Sequence, residues 1–372
     1  MFKHWNLFFF LISYQLAGGQ IPKGFSLEPT IHIGKVLKHT SKLTFEVPPI
    51  SMGAELHYNY QRYGKAAWHE RQNYPLLGAS FLYYNFGDPS VLGTGLALYP
   101  TLNLKMFSYK TLRADMVIGS GVGWVSRPYN TLTNPLNNAV GSHWNNLTQF
   151  KWIATLPLNA HWKSFGGFSF SHFSNGSRQL PNYGINLIAA NAGVQYTPNP
   201  LTSNDFIHHN SLNDKVIRHW GIQIKSDIAW VASQLPDGPK YPIYIETIAG
   251  MYERNPSTRW YVGMDYEQNR AVYEFSLHAL NVHTAAEARL EATRFAPFLA
   301  HEQWFGNTSI YLQTGTYVGN FYTKPGAWFN KLGLRYYAPS WKGMRAFGGV
   351  YLKAHRFTAE YGSIGMGLDW KH

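Results

Sequence analysis

Between Leu112 and Trp124 the chain alternates. Leu112, Ala114, Met116, Ile118, Val122 and Trp124 fall on one face of an extended strand, and Asp115, Gly119, Gly121 and Gly123 on the other. Residues 220–230 set Trp220, Ile222, Ile224, Ile228 and Trp230 against Gln223, Lys225 and Asp227. Residues 259–267 set Trp260, Val262, Met264 and Tyr266 against Arg259, Asp265 and Glu267, and Ile364, Met366, Leu368 and Trp370 oppose Gly365, Gly367 and Asp369. Period two is the β-strand period, and charges confined to one face suit a wall with lipid on one side and a polar lumen on the other. A soluble sandwich alternates in the same way, with its polar face outside. Composition separates the two. Charged residues make up 14% of the 372, where soluble domains average about 25%. Aromatics reach 16%, and Trp124, Trp220, Trp230 and Trp370 end apolar faces as interfacial girdles do. Mean hydropathy is −0.26, and beyond the N-terminus no apolar run approaches the ~18 residues of a spanning helix. The expectation is an all-β, closed antiparallel transmembrane β-barrel.

Residues 1–19 read as a secretory signal peptide: Lys3 and His4, an apolar stretch from Leu7 to Leu16, and the small-residue site Ala17-Gly18-Gly19. The absence of cysteine excludes a lipoprotein anchor, thiolate metal sites and a Cys nucleophile. A net charge of +12 suits a surface of phosphorylated glycolipid, and an exported chain is not expected to meet nucleic acid. Residues 20–50 form a lead-in without an assigned place, and 51–372 a single barrel. Roughly 25–30 residues per strand and connection predict about 12 strands, within a range of 10–14. Thr284 to Ala288 have helical composition within 283–300. His208-His209 lacks further ligand spacing and Lys225 with Asp227 reads as a lumenal charge pair. No metal or cofactor is expected.

One segment carries chemistry, Gly166 to Gly176 followed by Pro181 to Asn186. Two apart in a strand, His172 and Ser174 share a face with Phe168 and Phe170, while Ser169 and Ser171 lie opposite. They extend an apolar, lipid-facing stripe towards the membrane rim. A hairpin to the next strand brings Asn186 beside His172. Such an arrangement supplies a nucleophile, a base and a polar orienter. His-x-Ser is short, and solvated loop-end residues give the same pattern.

The block His172-Phe173-Ser174-Asn175-Gly176 with Pro181-Asn182-Tyr183-Gly184-Ile185-Asn186 resembles the signature of the lipid A 3-O-deacylase family, the acyloxyacyl-hydrolase-like outer-membrane proteins. Residues from Trp124 to His143 look like the family's preceding strand and loop. Leu352 to His355 with Ala359-Glu360 looks like the closing strands of its longer members. The resemblance implies an outer-membrane barrel that hydrolyses the ester of a 3-hydroxyacyl chain on the lipid A of lipopolysaccharide. It implies Ser174 as nucleophile and His172 as general base, with Asn175 and a backbone N–H near Gly176 or Ser177 holding the oxyanion. The family's best-known enzymes carry Glu fourteen residues after the His; here that position is Asn186, and no acid lies between His172 and Asp205. Arg127 and Arg178 are candidates for pairing lipid A phosphates. Two other classes stay open: a porin-like barrel with a relic site, which a wide unplugged lumen would favour, and a structural or adhesive surface barrel.

Overall fold

The computed structural model describes residues 21–209, 218–232, 236, 238–278, 284–319, 326–355 and 358–371. The signal-peptide expectation for residues 1–19 lies outside the described residues. Among the described residues, sixteen strands form two closed antiparallel barrels of eight, each strand pairing with its sequence neighbours. The first barrel holds β1 (Phe25–Val36), β2 (Ser51–Gln61), β3 (Leu76–Asn85), β4 (Thr94–Tyr109), β5 (Leu112–Val125), β6 (Trp144–Pro157), β7 (Trp162–Ser174) and β8 (Ile185–Tyr196), and β8 returns to β1. The second holds β9 (His219–Ala232), β10 (Lys240–Asn255), β11 (Thr258–Asn269), β12 (Thr293–Phe305), β13 (Thr308–Thr316), β14 (Trp328–Tyr337), β15 (Met344–His355) and β16 (Thr358–Lys371), with β16 closing on β9. No helix of the described residues is long and apolar enough to cross a membrane.

The expected closed barrel is therefore present, but it occurs twice, and the strand count exceeds the expected 12. The lead-in 20–50 is also not a separate segment, because β1 lies inside it and closes the first barrel. The helix expected within 283–300 is confined to α3 (Ala285–Ala292), which a Thr284–Glu287 capping box starts; β12 begins at Thr293. It follows α2 (Arg270–His278) between β11 and β12. A one-turn helix, α1 (Ala67–Arg71), sits between β2 and β3.

The alternation has the expected sense. Val122, Ile224, Val262, Ile364, Met366, Leu368 and Trp370 are exposed on the outer walls, while Asp115, Gln223, Asp265 and Asp369 are buried inside. Eight strands enclose a bore just wide enough for side chains to fill, and here they are charged or polar. In the first barrel Glu55 is the hub. Lys151 Nζ lies 2.7 Å from its carboxylate, His32 Nε2 2.9 Å and Tyr99 Oη 3.0 Å. His57 meets Glu28 at 3.1 Å. In the second barrel Lys331 pairs with Asp265 at 2.8 Å, Arg259 with Asp369 at 2.9 Å and Arg294 with Glu360 at 2.8 Å, while Lys225 pairs with Asp227. Burying these charges is costly, and mutual pairing inside the bore offsets that cost.

The connections set a direction. β4–β5, β6–β7, β10–β11 and β12–β13 turn within 110–111, 158–161, 256–257 and 306–307. The opposite end of the first barrel carries 37–50, 86–93, 126–143 and 175–184. Apart from the longer β2–β3 connection 62–75, which carries α1, the turns at one end are short and the loops at the other longer, as at the periplasmic and extracellular ends of an outer-membrane barrel.

Removing a hub of the lumenal network should leave its partners buried and unpaired. Glu55→Ala is expected to destabilise the first barrel by about 3–5 kcal/mol. Urea unfolding in detergent, followed by the heat-modifiable shift on a gel, would read this. A midpoint equal to that of the unsubstituted chain would deny Glu55 that role.

Candidate active site

Strand register assembles the site. β7 and β8 pair with His172 directly opposite Asn186. On the other side of β7, His172 faces Thr148 and Ser174 faces Asn146 of β6. Alternation turns Phe168, Phe170 and His172 to the outer wall and buries Ser169, Ser171 and Phe173. Phe173 stacks edge-on to Phe86 at 5.5 Å inside the barrel and anchors the end of β7.

His172 Nδ1 and Asn186 Oδ1 are 2.5 Å apart. A carbonyl oxygen can only accept, so Nδ1 carries the hydrogen and Nε2 keeps its lone pair, the tautomer a general base needs. Two features fix the ring. Gly184 has φ +85°, and a Cβ there would come within 2.5 Å of His172 Cε1, so only glycine leaves room for the imidazole. The Asn186 backbone is held by Leu37, whose N–H donates to its carbonyl at 2.8 Å. His39 reaches over the same loop, with Nε2 2.9 Å from the Tyr183 carbonyl. Thus the lead-in buttresses the site.

Ser174 lies on the same face as His172, at the end of β7, and is only 5% exposed. Among the described residues its hydroxyl makes no hydrogen bond, to His172 or to any other group. The chain then turns sharply: Gly176 has φ +62° and Ser177 φ +63°. Asn175 does not have the role expected of it. Its Nδ2 donates to Ser142 Oγ at 2.9 Å and to the Gln179 carbonyl at 2.8 Å, so both amide hydrogens are committed. Its own N–H donates to Asn182 Oδ1 at 3.0 Å. Asn175 clamps the loop instead of offering a donor to a reacting oxygen. The backbone N–H groups of Gly176 and Ser177 donate to no acceptor among the described residues.

Sequence reasoning missed the polar patch beside the site. Asn146, Thr148 and Ser120 lie on the outer wall of β5 and β6. Thr148 Oγ1 donates to Asn146 Oδ1 at 2.9 Å, and Asn146 Nδ2 donates to Ser120 Oγ at 3.1 Å and the Gly121 carbonyl at 2.9 Å. The signal was there, since Asn146 and Thr148 alternate with buried Leu147. Arg127 donates from Nε and Nη2 to the Ser90 carbonyl, at 3.1 and 2.9 Å, which fixes a loop; Arg178 is exposed. His208 and His209 gather around Glu70, away from this site, and no group of three metal-ligating side chains occurs among the described residues.

The family model "Lipid A 3-O-deacylase (PagL)" matches residues 52–195, and "Acyloxyacyl hydrolase, C-terminal domain" matches residues 220–372. The first spans β2 to β8 and includes His172, Ser174 and Asn186; the second coincides with the second barrel. No curated protein sequence matches the chain. Among solved structures, OccAB4 of Acinetobacter baumannii is 10% identical, covering 95% of this chain and 99% of that one, with a TM-score of 0.22. A BenF-like porin of Pseudomonas fluorescens Pf-5 is also 10% identical over 95% and 99%, with a TM-score of 0.23. Overlaps this loose carry no argument, and the architecture rests on the strand pairing itself. The two family matches cover most of the chain and lie on either side of the boundary between its barrels: the chain belongs to the lipid A 3-O-deacylase family of outer-membrane ester hydrolases.

Proposed function

We propose that the chain removes an ester-linked 3-hydroxyacyl chain from lipid A by a serine-esterase mechanism on the outer wall of its first barrel. The observation that carries this reading is the His172–Asn186 bond. It holds a base in the needed tautomer on the lipid-facing side, two residues from a serine.

In the reaction, Ser174 turns its hydroxyl to His172 Nε2, which takes the proton as Oγ attacks the ester carbonyl. The tetrahedral oxyanion is met by the N–H groups of Gly176 and Ser177. As the tetrahedral intermediate breaks its bond to the sugar oxygen, His172 gives that oxygen the proton, releasing a sugar hydroxyl and leaving an acyl-enzyme on Ser174. Water attacks by the same path, with His172 again as base, and releases the 3-hydroxy acid. The position of the site suits the substrate. Acyl esters lie just beneath the sugar headgroup of the outer leaflet, and His172 stands at the loop end of a stripe that includes Phe168 and Phe170. No acyl chain need leave the bilayer.

Asn186 orients the imidazole through its carbonyl oxygen. Being neutral, it adds nothing to the stability of the imidazolium that forms during attack, which a carboxylate would. The porin-like alternative finds no support in bores filled by paired side chains.

Mass spectrometry of lipid A from cells making the wild-type chain should show loss of one 3-hydroxyacyl chain, and Ser174→Ala should abolish it, lowering the rate by about 10³-fold or more. Ester loss that persists in Ser174→Ala would remove the serine mechanism.

The Asn186 series tests the orienter. Asn186→Ala should slow deacylation by about 10- to 100-fold, below the ~10⁴ that a protease triad loses with a wrong tautomer. Asn186→Glu should match or exceed the wild-type rate, because it accepts from Nδ1 and also stabilises the imidazolium. An unchanged rate in Asn186→Ala would show that the third position is idle.

A further inference from the structure

The Gly176–Ser177 turn, which begins two residues after Ser174, is closed locally by Arg178 N–H donating to the Asn175 carbonyl at 3.3 Å, and it is fastened further by the other barrel. Ser177 is a non-glycine residue at φ +63°, where L side chains are uncommon and need outside support. Among the described residues, the bonds Ser177 itself makes go to the second barrel. Its Oγ donates to the Ala359 carbonyl of β16 at 2.9 Å, and its carbonyl accepts from Ala232 N–H, at the end of β9, at 3.1 Å. β9 and β16 are the pair that closes the second barrel, so the turn is docked on that closing seam. Gly176 is buried against the same wall, where a Cβ would come within 3.3 Å of Gly362 N and 3.7 Å of Leu352 Cδ1. From the other side, Asn175 is clamped by Ser142, Gln179 and Asn182 of the first barrel.

We propose that the second barrel is a positioning element for the reaction of the first: its β9–β16 edge holds Ser177, and through it the N–H groups of Gly176 and Ser177, in the arrangement that receives the oxyanion. This rests on the reading of Ser174 as nucleophile. It gives the C-terminal barrel a task in the chemistry, performed without lending a side chain to the substrate. An oxyanion donor acts through preorganisation, so a turn free to relax forfeits transition-state stabilisation while leaving ground-state lipid binding in place.

Two variants of the full-length chain test this from opposite sides. Ser177→Ala removes the hydroxyl that reaches Ala359. Gly362→Leu alters only the second barrel. A Cβ at 362 meets nothing nearer than the Tyr351 carbonyl at 3.8 Å, so the wall accepts a side chain at the residue Gly176 packs against, and a leucine there is expected to displace the turn. In detergent–lipopolysaccharide micelles each should lower kcat by about tenfold or more with KM within about threefold. Each should also slow labelling of Ser174 by a fluorophosphonate probe to a similar degree, with heat-modifiable gel migration unchanged. Ser177→Asn, which tolerates the left-handed backbone and keeps a donor, should recover most of the rate. The double variant should be little worse than either single one, as expected of two substitutions acting on one contact. Wild-type kcat and labelling in either folded variant, or a loss confined to KM, overturns the proposal. Should one variant fail to fold, the other decides. A wild-type chain that takes the probe but leaves lipid A intact overturns the substrate reading alone, and the labelling rates still judge the turn. A wild-type chain that takes no probe overturns both.

Discussion

Everything in this molecule follows from how an eight-stranded barrel disposes of its inner face. The bore is too narrow for bulk water and is filled by side chains. Its occupants are Glu55 with Lys151 and His32 in one barrel, and Asp265 with Lys331 and Asp369 with Arg259 in the other. Each charge is tolerable because a partner on a facing strand cancels it. That interior leaves no room for a substrate. Period two then sends every second residue outward into hydrocarbon, which leaves the outer wall and the loop ends as the surfaces a lipid can reach.

Polar side chains on such a wall are expensive unless they are paired with one another. The patch around the site obeys this. His172 is paired with Asn186, and Thr148, Asn146 and Ser120 satisfy one another across β5 and β6. Ser174 lacks a side-chain partner among the described residues, yet it is only 5% exposed. A hydroxyl held this way is ready for an incoming partner, and the low dielectric around it strengthens any charge-assisted contact that forms during attack.

Local pattern was legible in the sequence, and closure was not. The alternation at 112–124, 220–230, 259–267 and 364–370 assigned inward and outward faces residue by residue, and the spacing of His172 and Asn186 anticipated their pairing. What a strand pattern does not contain is which strand returns to the first. β8 closing on β1 is a long-range fact, so sixteen strands in two barrels read as about twelve in one. β1 itself escaped notice although Ser26, Glu28, Thr30 and His32 alternate with Leu27, Ile31 and Ile33. Pro29 interrupts that run and reads as a breaker, but its outward, exposed place in the wall tolerates it. Asn175 was misjudged for a similar reason. An amide next to a nucleophile suggests a donor, but whether its hydrogens are free depends on Ser142 and Gln179, which the spacing does not reveal.

The choice of two small barrels over one large one has a consequence of its own. A single sixteen-stranded wall would enclose an aqueous channel and present one continuous outer surface. Two eight-stranded walls fill both bores with side chains and create a seam between them, fastened at each end. At the short-turn end, Trp68 stacks edge-on to Phe305 at 6.5 Å and Gln72 donates to the Trp304 carbonyl at 3.1 Å. At the loop end the fastening is Ser177 itself. A contact whose only task was to hold two barrels side by side needs no left-handed serine, since ordinary backbone would serve at less conformational cost. The turn is bent where it both meets the second barrel and leaves two N–H groups uncommitted beside Ser174, and that coincidence is what a shared structural and chemical role would require.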